Sequence, residues 1–162
     1  MKRTLITSAL PYANGYLHLG HIAGAYLPAD IYARFLRISG KEVLYVCGSD
    51  EHGVAINISA EKENVSPQAI IDKYHFANLE AFEKFGMSFN IYSRTSLKEH
   101  HETAREFFAD ALKNDYLIEK EEEQFYDTQA NMFLPDRYVE GICPNCGSDK
   151  ARGDQCDSCG AY

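Results

Sequence analysis

Two histidines, His18 and His21, stand where a segment of helical character begins, directly after a loop rich in proline, asparagine and glycine. Because they are three residues apart, both imidazoles can direct N–H donors at one phosphate near a helix N-terminus. Gly20 lies between them without a side chain, so a flat base or a phosphate can approach the backbone closely. The pattern predicts a nucleotide site whose hydrogen-bond donors stabilise charge on an α-phosphate.

Two surface histidines beside a helix cap are the simpler interpretation of the same residues. The stretch TSALPYANG before them has the composition of a strand followed by a loop. Ligands of open α/β sheets bind beyond the carboxyl ends of the strands, so this position favours the phosphate site. The sequence contains neither Gly-x-Gly-x-x-Gly nor Gly-Lys-Ser/Thr, which excludes the ordinary dinucleotide site and the P-loop.

Four of the five cysteines form two Cys-x-x-Cys pairs, CPNCG and CDSCG, separated by nine residues. The four residues are Cys143, Cys146, Cys156 and Cys159. Four thiolates at this spacing suit a closed tetrahedral Zn²⁺ site, and the glycine after each pair permits the turn that wraps backbone around the metal. The sequence therefore predicts one structural zinc ion per chain, with two disulfides or Fe–S ligation as alternatives. Cys47 lies elsewhere and is expected to be a buried apolar residue.

The composition is that of a globular protein with one ordinary core and a small appendage: the chain has 162 residues, of which 45% are hydrophobic. A net charge of −8 argues against a protein that binds nucleic acid through its whole surface. No run approaches about 20 apolar residues, and the first ten residues lack a secretory pattern. We expect a cytoplasmic monomer without a membrane span.

Apolar runs and capping residues predict the first elements of secondary structure. Buried strands are predicted over residues 3–9, 42–48 and 89–95. The helix that begins at His18 or His21 is predicted to reach about Ile38, with a kink or a restart at Pro28. A short helix is predicted over 54–64.

Two further helices have recognisable start signals. Ser66 followed by Pro67 is an N-cap with proline at the first helical position, and Ser96 with Glu99 forms a capping box. The apolar spacing predicts their buried faces, formed by Ile71, Tyr74, Phe82 and Phe85 in the first helix and by Leu97, Ala104, Phe108 and Ala111 in the second.

Strands that alternate with helices over about the first 115 residues predict an α/β fold with a parallel sheet, half of a doubly wound nucleotide-binding sheet. The remainder alternates irregularly and predicts a β-rich module, in which the acidic run 119–123 forms a solvated edge or loop. We therefore expect two domains, residues 1–116 and residues 117–162, with a zinc knuckle at 143–160.

Several stretches together resemble one family of enzymes. TSALPYANGYLHLGHIAGAYLPADIYARFLR, VCGSDEHG at 46–53, FLPDRYVEG at 133–141 and the cysteine pairs occur in the order found in methionyl-tRNA synthetases, which are class I aminoacyl-tRNA synthetases. The run His18-Leu19-Gly20-His21 matches the family's His-Ile/Leu-Gly-His signature. The resemblance covers the entire chain. It implies the first half of a doubly wound, Rossmann-like catalytic sheet, followed by the start of a connective insertion that carries the zinc knuckle.

The resemblance also implies roles for individual residues. Leu10 and Tyr12 match positions that contact the side chain and the backbone of methionine, and Asp50 matches the carboxylate that holds its ammonium group. His18, Gly20 and His21 would bind ATP, with the two histidines as the catalytic residues. Pro11, Asn14 and Gly15 belong to the signature loop, His52 is a candidate for shaping the site, and His75, His100 and His101 are expected to be ordinary helix residues facing solvent or core.

The reaction implied is attack of the methionine carboxylate on the α-phosphate of ATP, followed by transfer of methionine to its tRNA. A free α-carboxylate has a pKa of about 3.5 and is already ionised, so no general base is required. Mg²⁺ would accompany ATP as part of the substrate. The insertion would lie over the acceptor end of the tRNA.

One family signature, Lys-Met-Ser-Lys-Ser, is absent from the 162 residues, and so is tryptophan. We therefore expect this chain alone to catalyse adenylation poorly or not at all. The alternatives are a nucleotidyltransferase with a His-x-Gly-His turn and a non-catalytic zinc-bearing module that binds tRNA. Class I enzymes for isoleucine, valine, leucine or cysteine share the histidine signature, but ALPYANG with GSDEHG favours methionine.

Overall fold

The computed structural model describes residues 3–129, 131–135, 138–153 and 155–161. The chain divides into two compact units, residues 1–114 and residues 115–162. Within the described ranges, no helix combines the length and the hydropathy that crossing a membrane requires.

The first unit is built on a three-stranded parallel sheet in the order β1-β2-β3. Its strands are β1 (Thr4–Thr7), β2 (Val43–Ser49) and β3 (Ile91–Arg94). β2 is central, and a core cluster on the sheet joins Tyr45 of β2 to Ile6 of β1. The predicted α/β fold with a parallel sheet is confirmed, and all three predicted strands occur.

A continuous helical segment follows the first loop. It consists of α1 (Leu19–His21), a π-helical stretch (Ile22–Tyr26) and α2 (Leu27–Ile38). The amide of Leu27 donates to the carbonyl of Ile22, five residues earlier. Pro28 has no N–H and cannot complete the usual bond to the residue four positions earlier, and the wider turn lies directly before it. A kink or a restart was predicted at Pro28. The structure has a π-helical stretch before this residue, and the helical segment continues without a restart.

The next two helices, α3 (Val54–Glu63) and α4 (Pro67–Lys84), pack together through a shared core cluster. The Oγ atom of Ser66 accepts the N–H of Ala69, which confirms the predicted N-cap before Pro67. Of the predicted buried face of α4, Ile71, Tyr74 and Phe82 are buried, whereas Phe85 at the C-cap is 56% exposed.

The last helix of the unit, α5 (Lys98–Lys113), differs from its prediction in two ways. Its N-cap is Leu97, and the hydroxyl of Ser96 donates to Glu51 instead of capping, so the capping box was wrong. The predicted buried face was also wrong, because α5 has no buried residue and Phe108 is 63% exposed. Helical periodicity identifies an amphipathic face but does not indicate what covers that face.

The second unit contains two small antiparallel pairs of strands, each strand two residues long. They are β4 (Tyr126–Asp127) with β5 (Met132–Phe133) and β6 (Glu140–Gly141) with β7 (Ala151–Arg152). Residues 119–123 are exposed and have no regular structure, as predicted. Asp136 and Arg137 of the FLPDRYVEG motif lie outside the described residues.

Candidate active site and metal centre

The loop after β1 is joined by backbone hydrogen bonds to the segment after β2. The amide of Ala13 donates to the carbonyl of Asp50 at 2.8 Å, and the amide of Asp50 donates to the carbonyl of Pro11 at 2.9 Å. Tyr12 and Asp50 thereby form a parallel bridge beyond the strands. Two of the three residues expected to bind methionine are thus held side by side at the carboxyl end of the sheet.

The carboxylate of Asp50 is available to a ligand. Asp50 is exposed, and the described residues give its side chain no hydrogen bond or ion pair. Beside it, Gly53 has a φ of +117°, and a Cβ atom there would lie 2.6 Å from the hydroxyl oxygen of Tyr12. Gly53 therefore leaves the room that the Tyr12 ring needs. This role was not predicted, although the glycine that closes SDEHG is a signal for it in the sequence.

Leu10 is 50% exposed and borders an open cavity of about 160 Å³ at the carboxyl ends of β2 and β3. The other lining residues are Cys47, Gly48, Ser93, Arg94, Thr95, Leu97, Glu99 and His100. Cys47 is buried as expected, and burial raises the pKa of its thiol to about 11, so it is an un-ionised thiol at neutral pH. Tyr12 and Asp50 do not line this cavity.

The signature loop is tight at its start and open at its end. Pro11 is buried, and the amide of Asn14 donates to the carbonyl of Tyr12 at 2.9 Å. A Cβ atom added at Gly15 would meet no other atom within 4 Å, so crowding does not require glycine there. On the other loop, Nε2 of His52 lies 3.2 Å from the carbonyl oxygen of Thr95.

His18 and His21 cap the start of the helical segment reciprocally. The Nδ1 atom of each ring accepts the backbone N–H of the other residue at 3.3 Å, and the two exposed rings stack with their centroids 3.6 Å apart. A neutral imidazole has one acceptor nitrogen and one N–H donor. Because Nδ1 is the acceptor in both rings, the proton of each lies on Nε2. Each ring therefore has its Nε2–H free of the reciprocal cap, and the role of these two donors towards a phosphate stays a prediction.

Gly20 makes room for one of these rings. A Cβ atom at Gly20 would lie 3.0 Å from Cε1 and 3.1 Å from Nδ1 of His18. The sequence suggested that the missing side chain admits a base or a phosphate. In the structure, the space beside Gly20 is taken by the His18 imidazole, so glycine is needed for the reciprocal cap itself.

Directly after Asp50, a buried carboxylate connects three elements of the first unit. The Glu51 side chain is fully buried and accepts hydrogen bonds from Ser49 Oγ at 2.6 Å, from Arg94 Nε at 2.8 Å and from Ser96 Oγ. Its backbone amide donates to the hydroxyl of Thr95 at 2.9 Å. The sequence alone does not single out Glu51, because its partners are between two and 45 residues away and only the folded sheet brings them together.

The network extends to α4 through Arg94 and His75. Arg94 Nη2 donates to Asp72 at 2.6 Å, a hydrogen bond that lowers the pKa of that carboxyl below its usual value. His75 is buried, with Nδ1 2.7 Å from Ser49 Oγ. The single hydroxyl proton of Ser49 goes to Glu51, so Ser49 accepts from His75, and the His75 proton lies on Nδ1.

Burial lowers the pKa of His75 below its usual value of 6.5, and the charge of Arg94 lowers it further, against opposing effects of Glu51 and Asp72. The unfolded chain therefore binds this proton at a higher pH than the folded chain does. We expect the free energy of unfolding to fall as the pH decreases below about 6.5, by at most about 1.4 kcal/mol per pH unit.

The variant His75→Asn tests this expectation, because its amide nitrogen replaces the Nδ1 donor to Ser49 without titrating. Urea unfolding of the parent chain and of His75→Asn is monitored by circular dichroism between about pH 5 and 8. These measurements give the slope of the free energy of unfolding against pH for each protein. The slope should be smaller in the variant between about pH 5 and 6.5. Equal slopes would show that His75 does not cause this pH dependence.

The four clustered cysteines form a candidate metal centre in the second unit. Their Sγ atoms all lie within 4.8 Å of one another, with Cys143 to Cys159 at 3.8 Å and Cys146 to Cys156 at 3.6 Å. Four sulfurs at 2.3 Å from a tetrahedral Zn²⁺ ion would be about 3.8 Å apart, whereas a disulfide requires about 2.05 Å. All four thiols are free of disulfides, so the cluster could hold zinc.

The backbone of the cluster has the predicted shape. Gly147 and Gly160, which follow the two Cys-x-x-Cys pairs, have φ angles of +72° and +70°. Their amides donate to the carbonyls of Cys143 and Cys156 at 2.9 and 2.8 Å. Each pair therefore forms the same tight turn around the sulfur atoms, as expected for a metal knuckle.

Comparisons with known proteins identify the family of the chain. A family model described as "tRNA synthetases class I (M)" matches residues 4–162. Curated relatives named methionine–tRNA ligase include that of Chloroherpeton thalassium, 59% identical over 161 residues, and that of Parabacteroides distasonis, 56% identical over 159 residues. The matches cover 99% and 98% of this chain but only 23% of each relative, so the chain spans about a quarter of their length.

Solved structures share the fold at lower sequence identity. Mycobacterium tuberculosis methionyl-tRNA synthetase in complex with methionyl-adenylate superposes with a TM-score of 0.75 at 23% identity, over 94% of this chain and 31% of that one. A leucyl enzyme from Agrobacterium radiobacter, in a ternary complex with tRNA, gives 0.71 at 19% identity, over 93% of this chain and 19% of that one. The family match over nearly the whole chain shows that this protein belongs to the class I tRNA synthetases of the methionine type, "tRNA synthetases class I (M)".

Proposed function

We propose that the chain supplies part of the active site of a methionine–tRNA ligase, which forms methionyl-adenylate from methionine and ATP and then transfers methionine to tRNA. The proposal rests chiefly on the arrangement of Tyr12 and Asp50. A backbone bridge holds the two residues side by side, and the Asp50 carboxylate is exposed and has no partner among the described residues. The curated relatives are named for this activity.

Methionine binds in this proposal through Leu10, Tyr12 and Asp50. The Asp50 carboxylate accepts charge-assisted hydrogen bonds from the substrate ammonium group. Leu10 provides apolar surface for the thioether side chain, and Tyr12 contacts the amino-acid backbone. Pro11, Asn14 and Gly15 shape the loop that presents these groups.

ATP binds through His18 and His21, with Gly20 leaving the room that the His18 ring needs, and Mg²⁺ accompanies ATP as part of the substrate. The two Nε2–H donors contact the phosphates and stabilise the charge that develops as the methionine carboxylate attacks the α-phosphate. No residue of this chain acts as a base, because the carboxylate is already ionised. Pyrophosphate leaves, and the adenylate remains for transfer to tRNA.

The four cysteines hold one structural Zn²⁺ ion in this proposal. All ligand positions are filled by sulfur, so the ion stabilises the fold of residues 117–162 and takes no part in the reaction. Residues 1–116 form half of the catalytic domain, and the zinc-bearing part is the start of an insertion that faces the tRNA acceptor end. Such a reaction takes place in the cytoplasm, where ATP and tRNA are present.

Replacing Asp50 by asparagine tests the proposal. We would measure methionine-dependent ATP–pyrophosphate exchange by this chain and by a chimera in which it replaces the matching residues of the Chloroherpeton thalassium ligase. The chain alone should exchange weakly, and the chimera should be active. Loss of a charged hydrogen-bond partner should raise the KM for methionine by about 10- to 100-fold in the Asp50→Asn chimera.

Asp110→Asn is the matched control, because Asp110 is an exposed aspartate on α5. Asp110→Asn should leave the KM for methionine and the KM for ATP unchanged. A chimera that exchanges with another amino acid and not with methionine would contradict the substrate assignment. An unchanged KM for methionine in Asp50→Asn would contradict the role of Asp50.

A further inference from the structure

Two peptide units flank the Cα atom of Asp50, and both are hydrogen-bonded to the loop after β1. In the unit before the Cα atom, the amide of Asp50 donates to the carbonyl of Pro11 at 2.9 Å. In the unit after it, the carbonyl of Asp50 accepts the amide of Ala13 at 2.8 Å. These bonds form the bridge to Tyr12, and they leave one polar group of each unit for a partner on the opposite side.

Thr95 is that partner for both units. Its amide donates to the carbonyl of Ser49 at 3.1 Å, and its Oγ1 atom accepts the amide of Glu51 at 2.9 Å. Because Ser49 lies opposite Arg94 in the parallel register of β2 and β3, Thr95 follows directly beside Asp50. One residue therefore holds the peptide unit before Asp50 and the peptide unit after it.

The bond to the hydroxyl replaces a bond that the backbone could make. In a regular parallel ladder, the carbonyl of Thr95 would accept the amide of Glu51. In the structure, this carbonyl oxygen lies 3.2 Å from Nε2 of His52, and the hydroxyl accepts the amide instead. Every residue has a backbone carbonyl, whereas the observed bond requires a side-chain acceptor at position 95. The identity of this residue therefore matters for the backbone around Asp50.

The backbone is what directs the Asp50 carboxylate. This side chain is exposed and has no hydrogen bond or ion pair among the described residues, so no contact of its own orients it. Rotation of either peptide unit would turn the Cα–Cβ bond and displace the carboxylate. A charge-assisted hydrogen bond depends on its geometry, and a displacement of about 1 Å is enough to impair a binding site.

We propose that Thr95 is a positioning residue of the methionine site: its hydroxyl holds the amide of Glu51 and thereby fixes the direction in which Asp50 presents its carboxylate to the substrate ammonium group. The inference rests on the proposed function of Asp50. Thr95 acts through the backbone of Asp50, and the loop after β1 holds the same two peptide units from the other side.

The first experiment needs no activity. Crystal structures of the parent chain, Thr95→Val and Thr95→Ser compare a side chain that has the shape of threonine without an acceptor with one that keeps the hydroxyl without the methyl group. In Thr95→Val the amide of Glu51 loses its acceptor, so the Asp50 carboxylate should move by about 1 Å or more. In Thr95→Ser it should stay in place. An unmoved carboxylate in Thr95→Val would overturn the inference whatever the function of the protein.

The second experiment measures exchange kinetics in the chimera. Thr95→Val should raise the KM for methionine at least about fivefold, while the kcat and the KM for ATP stay within about twofold of the parent values. Thr103→Val is the matched control, because Thr103 is an exposed threonine on α5 whose hydroxyl donates to the carbonyl of Glu99, and it should change neither KM. Equal increases of both KM values in Thr95→Val would indicate general loosening and contradict a positioning role.

Thr95→Ser tests the role of the hydroxyl even if Thr95→Val does not fold, because it removes only one methyl group. Its KM for methionine should stay within about twofold of the parent value, since the acceptor for the amide of Glu51 is kept. An increase of about fivefold or more in Thr95→Ser would assign the effect to packing of the methyl group and refute the inference.

The double variant Asp50→Asn/Thr95→Val shows whether Thr95 acts through Asp50. Its KM for methionine should stay within about twofold of that of Asp50→Asn, because the carboxylate that Thr95 positions is already gone. If Thr95→Val raises this KM by the same factor in the presence and in the absence of the carboxylate, Thr95 acts independently and the inference is wrong. An effect of Asp50→Asn without one of Thr95→Val refutes only the role of Thr95, whereas no effect of Asp50→Asn refutes the proposed function of Asp50.

Discussion

Removing zinc from the loaded chain is expected to unfold residues 115–161 and to leave the sheet of the first unit intact. The only buried side chains described in this unit are Cys143, Ala151 and Cys156, and each of its four strands has two residues. So small a core cannot offset the entropy of ordering the chain. Binding of a structural Zn²⁺ ion contributes about 10–16 kcal/mol in comparable small modules, so it decides whether the unit folds.

Cobalt titration followed by limited proteolysis checks this prediction. The chain should bind one Co²⁺ with the absorption of tetrahedral thiolate coordination, and a chelator should make residues 115–161 sensitive to protease. Cys143→Ser should abolish the absorption and the protection. Cys47→Ser is the matched control, since Cys47 lies in the first unit and outside the cluster. A second unit that resists protease without metal would contradict the structural role of zinc.

The features that could be predicted from sequence are those whose determinants are local in the chain. The strand β2 begins with the apolar run 43–47, and the N-cap at Ser66 depends on a hydrogen bond across three residues. The glycine turns of the two cysteine pairs depend on four or five successive residues. In these cases the chemical signal and the structure occupy the same short segment, so the predictions were confirmed.

The misjudged features depend on partners far away in the chain. Ser96 with Glu99 has the pattern of a capping box, but Glu51, 45 residues earlier, takes the Ser96 hydroxyl. The burial of Phe108 was inferred from periodicity, which identifies an apolar face without specifying a covering element. His75 could be placed only as solvent-facing or core, and its partner Ser49 becomes apparent only once α4 packs beside β2.

Replacing His18 by asparagine is expected to lower the kcat of the chimera by about 10²- to 10³-fold, the usual loss for one donor to transition-state charge. The Oδ1 atom of asparagine occupies the place of Nδ1 and still accepts the amide of His21, so the helix start is kept. What disappears is the Nε2–H donor. In the proposed reaction this donor acts on phosphate charge, so the KM for methionine should change little.

Glutamine at the same position separates the two roles of His18. Its amide nitrogen reaches the place of Nε2 and retains a donor, but it cannot accept the amide of His21 as Nδ1 does. His18→Gln should therefore be more active than His18→Asn in pyrophosphate exchange while starting the helix less stably, which circular dichroism would show. The kcat of the double variant His18→Asn/His21→Asn should fall by less than the product of the two single-variant factors, because in the proposed reaction both donors act on one group. Equal activity of the asparagine and glutamine variants would mean that position 18 serves the fold alone, and the catalytic role would then rest on His21.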